Sequence, residues 1–149
     1  DTIGYFDENH FAYLEDIDIG YRAKISGFHN YFEPDAVVYH EGSAVSGSRY
    51  NEFKVKLSSK NSIYLVYKNM PVLQICLNSL FLLAGILIKL VFFVKKGLGR
   101  TYLRGIGEGI GLCFSREGRR RKVRFRTECL GNYVRIQMEL WMNIARRLK

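Results

Sequence analysis

Cysteine is scarce in this 149-residue chain: Cys76, Cys113 and Cys129 are odd in number and widely spaced. That pattern excludes a disulfide framework and a cysteine zinc site, and it fits a reducing compartment. No targeting peptide precedes the first residues that read as structured, and the chain opens on Asp1 rather than Met. The expectation is a piece of a longer protein whose upstream part lies elsewhere. Acidic side chains are few after residue 50. Residues 51–149 carry five of them against twenty basic ones, whereas residues 1–50 carry nine acidic and three basic. The net charge of +9 therefore hides an acidic part suited to chemistry and a basic part suited to holding something anionic.

The first part, residues 1–50, reads as α/β. Leu14, Ile17, Tyr21, Ile25 and Phe28 recur at helical spacing and predict one buried face, with Gly27 placed to end the helix. Tyr31-Phe32 and Ala36-Val37-Val38-Tyr39 read as short extended segments around a Pro34-Asp35 turn. Glu15, Asp16 and Asp18 then fall in the first helical turn, pointing away from the apolar stripe. Two readings of them stand. Carboxylates at a helix N-terminus are favoured by the macrodipole, and Asp18 and Arg22, four apart, can form a surface pair. Three acids in four positions also repel one another, a crowding that suits a cation or a proton to be taken from a substrate. His40, 24 residues after Asp16, follows an apolar run and precedes the polar turn Glu41-Gly42-Ser43. It reads either as a structural histidine or as a site residue.

The run Gly4-Tyr5-Phe6-Asp7-Glu8, Phe11, Tyr13, Glu15-Asp16-Ile17-Asp18, Arg22, Gly27, Pro34-Asp35-Ala36-Val37-Val38-Tyr39-His40, Gly42-Ser43 resembles the C-terminal half of the catalytic domain of family 2 glycosyltransferases. The likeness is to the rhamnosyltransferase-like members. Tyr64 to Asn69, Tyr-Leu-Val-Tyr-Lys-Asn, is similar to that family's aromatic-then-Arg-Asn segment, with Lys68 in place of Arg. The resemblance implies the C-terminal fragment of a GT-A fold, with Asp16 as catalytic base, Glu15, Asp18 and Arg22 supporting the acceptor site, and His40 as a ligand of a divalent cation, Mg²⁺ or Mn²⁺. It also implies a nucleotide-diphosphate sugar as donor and an inverting transfer: a carboxylate takes the proton of the attacking hydroxyl while a metal absorbs charge on the departing diphosphate. No donor-binding Asp-x-Asp lies upstream. The resemblance thus implies half a site, inactive without the missing N-terminal half of the domain.

After a linker helix over 51–70, residues 71–96 carry the longest apolar run, Pro71 to Val94. As a helix of 24 residues it measures about 36 Å, enough for a hydrocarbon core of about 30 Å. Pro71 suits its start and Lys95-Lys96 a cytoplasmic edge. Gln74, Asn78 and Lys89 speak against a clean span, so a helix or hairpin in the membrane surface and a buried soluble helix stay open. Residues 97–149 read as a basic, amphipathic helical tail. Val134, Met138, Trp141, Ala145 and Leu148 form its stripe, flanked by Arg135, Arg146, Arg147 and Lys149. The run Arg119 to Arg126 is either a lipid-attracted segment or a solvated linker. The glycines from Gly105 to Gly111 do not fit a dinucleotide fingerprint and predict close helix packing or a bend.

Two functions are compatible with this pattern. One is the catalytic C-terminal part of a membrane-bound glycosyltransferase, facing the cytoplasm, with membrane lipid and a glycan or lipid-linked acceptor as partners in cell-surface polysaccharide synthesis. The other is a non-enzymatic basic protein that binds membrane or nucleic acid. The apolar helix argues against nucleic acid as a partner.

Overall fold

The computed structural model describes residues 2–39 and 50–147. Six α-helices follow one another: α1 (Glu15–Ile25), α2 (Glu52–Asn69), α3 (Val72–Lys95), α4 (Gly99–Phe114), α5 (Arg116–Arg120) and α6 (Leu130–Arg147), with a 3₁₀ turn at Thr127–Cys129 before the last. Among the described residues there is no strand. The α/β expectation, a GT-A fragment, is therefore corrected: the described chain is helical. The two segments expected to be extended do flank a turn, in which the Ala36 N–H donates to Glu33 O at 3.2 Å with Pro34 at its second position. Among the described residues they have no ladder partner. An apolar, β-prone run becomes a strand only where another strand takes up its backbone groups. Without one, Tyr31, Phe32 and Tyr39 stand 87%, 89% and 96% exposed.

Helix ends follow local chemistry. Gly27, at φ +86°, closes α1 in a Schellman motif, with Phe28 N–H on Ala23 O at 3.0 Å and Gly27 N–H on Lys24 O at 3.1 Å. Gly97, at φ +73°, does the same for α3 through Leu98 N–H on Phe93 O at 2.8 Å. Asn51 caps α2 by accepting from Lys54 N–H at 2.9 Å. Ser115 separates α4 from α5 and accepts from Gly118 N–H at 3.0 Å.

Helices α2 and α4 run parallel and pack closest, through two glycines. A Cβ at Gly105 would collide with Lys56 O and Ser59 Oγ, and one at Gly109 would lie 2.6 Å from Lys60 O. Gly107 and Gly111, on the other side of α4, face open space. Helix α3 returns antiparallel to α4, with Phe93 stacked on Tyr102 at 5.3 Å between ring centroids. It is long and apolar enough to cross a membrane, and 6% of its apolar window is buried. Its buried residues are Gln74 and Asn78. Gln74 accepts from the Tyr21 hydroxyl, and Asn78 exchanges amide bonds with Gln137 at 2.8 and 3.1 Å. The polar residues that interrupt the apolar run are its points of attachment to α1 and α6.

The apolar core joins the acidic start of the chain to its basic end. Ile25 of α1 packs with Cys129, Tyr133 and Ile136, covered by Tyr21, Val123 and Leu140. The α1 stripe is narrower than its spacing suggests, since Ile17 and Phe28 are half exposed. On α6 Tyr133, Ile136 and Gln137 are buried, while Val134, Met138 and Trp141 of the expected stripe face outward. Leu148 and Lys149 lie outside the described residues. The Arg119–Arg126 run is held rather than loose: Val123 N–H donates to Lys68 O at 2.9 Å, Lys122 sits 4.3 Å over the Tyr67 ring, and Arg126 donates to Ser26 Oγ at 3.0 Å.

The glycine packing gives a paired test. Gly109→Ala should cost about 1–3 kcal/mol through overpacking against a backbone oxygen. Gly107→Ala should leave stability unchanged or raise it by about 0.5–1 kcal/mol. Urea unfolding followed by circular dichroism compares them, and equal midpoints would contradict the α2–α4 contact.

Candidate functional site

The first turn of α1 is built on a strained approach. Phe11, Tyr13 and Leu14 have left-handed φ angles of 57°, 69° and 70°, a conformation that costs free energy in a non-glycine residue. The buried Asn61 of α2 holds them there. Its Nδ2 reaches His10 O at 2.7 Å, Ala12 O at 2.8 Å and Tyr13 O at 2.9 Å. Residue 15 can therefore enter the helix at only one angle, and that angle decides where each acid points.

Asp18 points inward and is fully buried. The expectation that it faces away from the packed side is corrected: helical spacing allows it, but α2 supplies partners that take the carboxylate inside. Its Oδ2 accepts from Arg22 Nε at 3.1 Å, Arg22 Nη2 at 2.8 Å and Lys68 Nζ at 2.8 Å, and its Oδ1 accepts from Asn69 Nδ2 at 2.8 Å. Lys68 also pairs with Asp7 Oδ2 at 2.8 Å, an oxygen that takes the Tyr64 hydroxyl at 2.9 Å. Arg22 reaches on to Ile3 O and to Tyr5 O, the latter at 2.8 Å. His10, fully buried, brings Nε2 within 3.8 Å of Asp18 Oδ1, beyond hydrogen-bond length. Two carboxylates, one ammonium and one guanidinium thus balance in the interior. Burial pushes Asp7 up, but Lys68, Asn9 and Tyr64 outweigh it and hold the carboxyl at about 2. Burial likewise raises Asp18, and the facing His10, Lys68 and Asn69 side chains pull it below the ordinary carboxylate range. For Tyr64, burial and the adjacent Asp7 carboxylate push the hydroxyl well above its usual range.

Asp16 is exposed, and its Oδ1 accepts from Ile17 N–H at 2.8 Å. It lines an open cleft of about 340 Å³ between α1 and α6. Tyr21, Ile136 and Leu140 supply apolar wall, and Asn30, Asn143 and the Lys24–Glu139 ion pair supply polar groups. Apolar wall with a few fixed donors and acceptors is the general make-up of a site for a small polar ligand. Glu15 is half-buried, with Oε2 unpartnered. Of the expected residues, Asp18 and Arg22 come together in the interior, Asp16 stands in the cleft, and His40 lies outside the described residues.

Among the described residues, no group of three or more His, Cys, Asp or Glu side chains could hold a metal ion. In the cleft, Glu139 is committed to Lys24, which leaves Asp16 as a single carboxylate. The described residues alone do not fit a divalent cation, and no chemical step is derived through one. Sequence reasoning missed His10 and Asn61 as part of this region, and Glu139 and Asn143 as part of the cleft, whereas Asp7 stands in the run that carries the resemblance. Lys68 and Asn69 had a signal, the resemblance of Tyr64 to Asn69. The chain matches no protein-family model, no curated protein and no solved structure.

Lys68→Met should cost about 3–5 kcal/mol, because it strands two buried carboxylates, whereas Asp16→Asn should stay within about 0.5 kcal/mol. Chemical denaturation of both variants checks the contrast. The lowered carboxyls also set an acid limit. Their stabilisation is complete above the unfolded value of about 3.9 and is lost as pH falls towards the folded Asp7 value of about 2. Melting temperature should therefore drop steeply between pH about 4 and about 2, and much less in Asp7→Asn.

Proposed function

We propose that this chain is the acceptor-side, helical part of a membrane-bound glycosyltransferase that works on the cytoplasmic face and transfers a sugar from a nucleotide-diphosphate donor to a hydroxyl of a glycan or lipid-linked acceptor. The observation that carries this reading is the exposed Asp16 carboxylate, standing in an open cleft while its neighbour Asp18 is locked inside. Asp18, Lys68, Asn61 and the left-handed turn fix the helix start, so Asp16 keeps one position. A fixed carboxylate beside a polar cleft suits a general base. The family resemblance over residues 4–43 supports the same role for Asp16.

In this mechanism the acceptor hydroxyl lies in the α1–α6 cleft and donates its hydrogen to Asp16. As the proton moves to the carboxylate, the oxygen attacks the anomeric carbon of the donor sugar, and the bond from that carbon to the diphosphate breaks on the opposite face. The Asn30 and Asn143 amides and the Lys24–Glu139 pair orient the acceptor's other hydroxyls. Helix α3, with Lys95-Lys96 at its end, is the membrane attachment, and the basic excess of the chain supports a cytoplasmic side.

The test is transfer of labelled sugar from a panel of nucleotide-diphosphate sugars to acceptors in membranes of cells that produce the chain joined to the N-terminal half that the resemblance implies. With equal protein in the membrane fraction, Asp16→Asn should reduce transfer by about 10²–10⁴-fold. Near-normal transfer by Asp16→Asn would remove the base assignment, and no transfer above control membranes with any donor would remove the reading.

A further inference from the structure

We infer that α3 lies in the plane of the membrane rather than across it, and that the groove between its first turns and α6 seats an acyl chain of an anionic phospholipid. This rests on the membrane-bound part of the proposed function and does not depend on Asp16. The first observation is the form of the exposed surface. Leu73, Leu77, Leu80, Ala84, Leu87, Val91 and Val94 recur at a spacing of three and four along the whole of α3, and all are exposed. With Val72, Phe81, Leu83 and Ile88, which are exposed as well, they make a broad apolar side from end to end, the side that would face lipid. The opposite side is taken: Gln74 and Asn78 are bonded to α1 and α6, and the Tyr102 hydroxyl of α4 donates to Ile86 O at 3.3 Å.

The second observation is what α3 would carry with it. Helix α4 lies antiparallel along α3, and α2 lies against α4. Those two helices hold Arg100, Arg104, Glu108, Lys56 and Lys60, and Lys56 pairs with Glu108 at 3.1 Å. A crossing α3 would draw these charges into hydrocarbon, where each is costly. An α3 lying flat keeps them on the aqueous side and sinks only its apolar side.

The third observation is a groove of about 650 Å³ where Leu73 and Leu77 meet Val134, Met138 and Trp141 across from them, with Lys122 at its edge. It continues the apolar side of α3 onto the outward face of α6. Beside it, residues 118–127 hold six cations and no acid, and Arg121 and Arg124 are exposed. An apolar slot bordered by cations is complementary to a chain that ends in a phosphate, and the shared surface with α3 makes a membrane phospholipid its occupant.

Trp141 is the chain's one tryptophan and lines the groove, so it reports occupancy directly. The purified full-length protein is mixed with phosphatidylcholine vesicles with and without phosphatidylglycerol, the lipid acyl chains carrying bromine as quencher. Trp141 fluorescence should shift to the blue and be quenched in the anionic vesicles, and Met138→Glu, with unchanged circular dichroism, should bind at least about tenfold more weakly. Equal quenching in neutral vesicles, or none in either, would overturn the lipid seat. Orientation is read in sealed vesicles by membrane-impermeant maleimide, with Lys96→Cys and Arg121→Cys each placed in a Cys76→Ser background. Both positions should label from the same side; labelling from opposite sides would mean that α3 crosses. Quenching and one-sided labelling without sugar transfer would leave this inference intact and remove the glycosyltransferase reading, and transfer with opposite-side labelling would do the reverse.

Discussion

Everything around the first helix depends on one ammonium group. Lys68 Nζ lies 2.8 Å from Asp7 Oδ2 and 2.8 Å from Asp18 Oδ2, and both carboxylates are buried. Burying two like charges is tolerable only when a cation sits between them and further donors fill the remaining lone pairs. Arg22, Asn69, Tyr64 and Asn9 do the filling. The N-terminal loop, α1 and the end of α2 are joined through this cluster more than through any apolar contact. Most of the large apolar side chains of residues 2–39 are exposed, Ile25 being the principal exception.

That arrangement divides labour between two acids two positions apart. Asp18 is spent on structure and Asp16 is left exposed, and the difference comes from the direction in which α1 leaves the left-handed turn at Phe11, Tyr13 and Leu14. The fold tolerates changes in the side chain of such a cleft residue but not in its buried support. The same logic separates the two faces of α6: one closes the core around Ile25, and the other presents Val134, Met138 and Trp141 to the surroundings.

How much of this was legible in the sequence depends on the range of the interaction. Local signals held. Gly27 ends α1, Pro34-Asp35 makes the turn, Pro71 and Lys95 bracket α3, and glycines in α4 permit close packing, because each acts within a few residues. Signals that needed a distant partner did not hold. The apolar runs at 31–39 look like strands, yet strand formation depends on a ladder that the described residues do not supply. Asp18 looked like a surface acid because nothing nearby in sequence reveals that Lys68 and Asn69, 50 and 51 residues away, turn it inward. The α6 stripe has its expected period, but nothing in that period reveals the second face, Tyr133 and Ile136, that meets Ile25.

Asn61 has a consequence for the order of assembly. The carbonyls it gathers lie 48 to 51 residues earlier in the chain. During synthesis the acidic turn is made first and remains unheld until α2 has emerged, so closing that loop is an entropic step that local helix formation cannot replace. The cleft residue is thus given its final position by a segment translated afterwards. A ribosome that stalls before Asn61 leaves behind a chain with every acid of the turn present and none of them yet aimed.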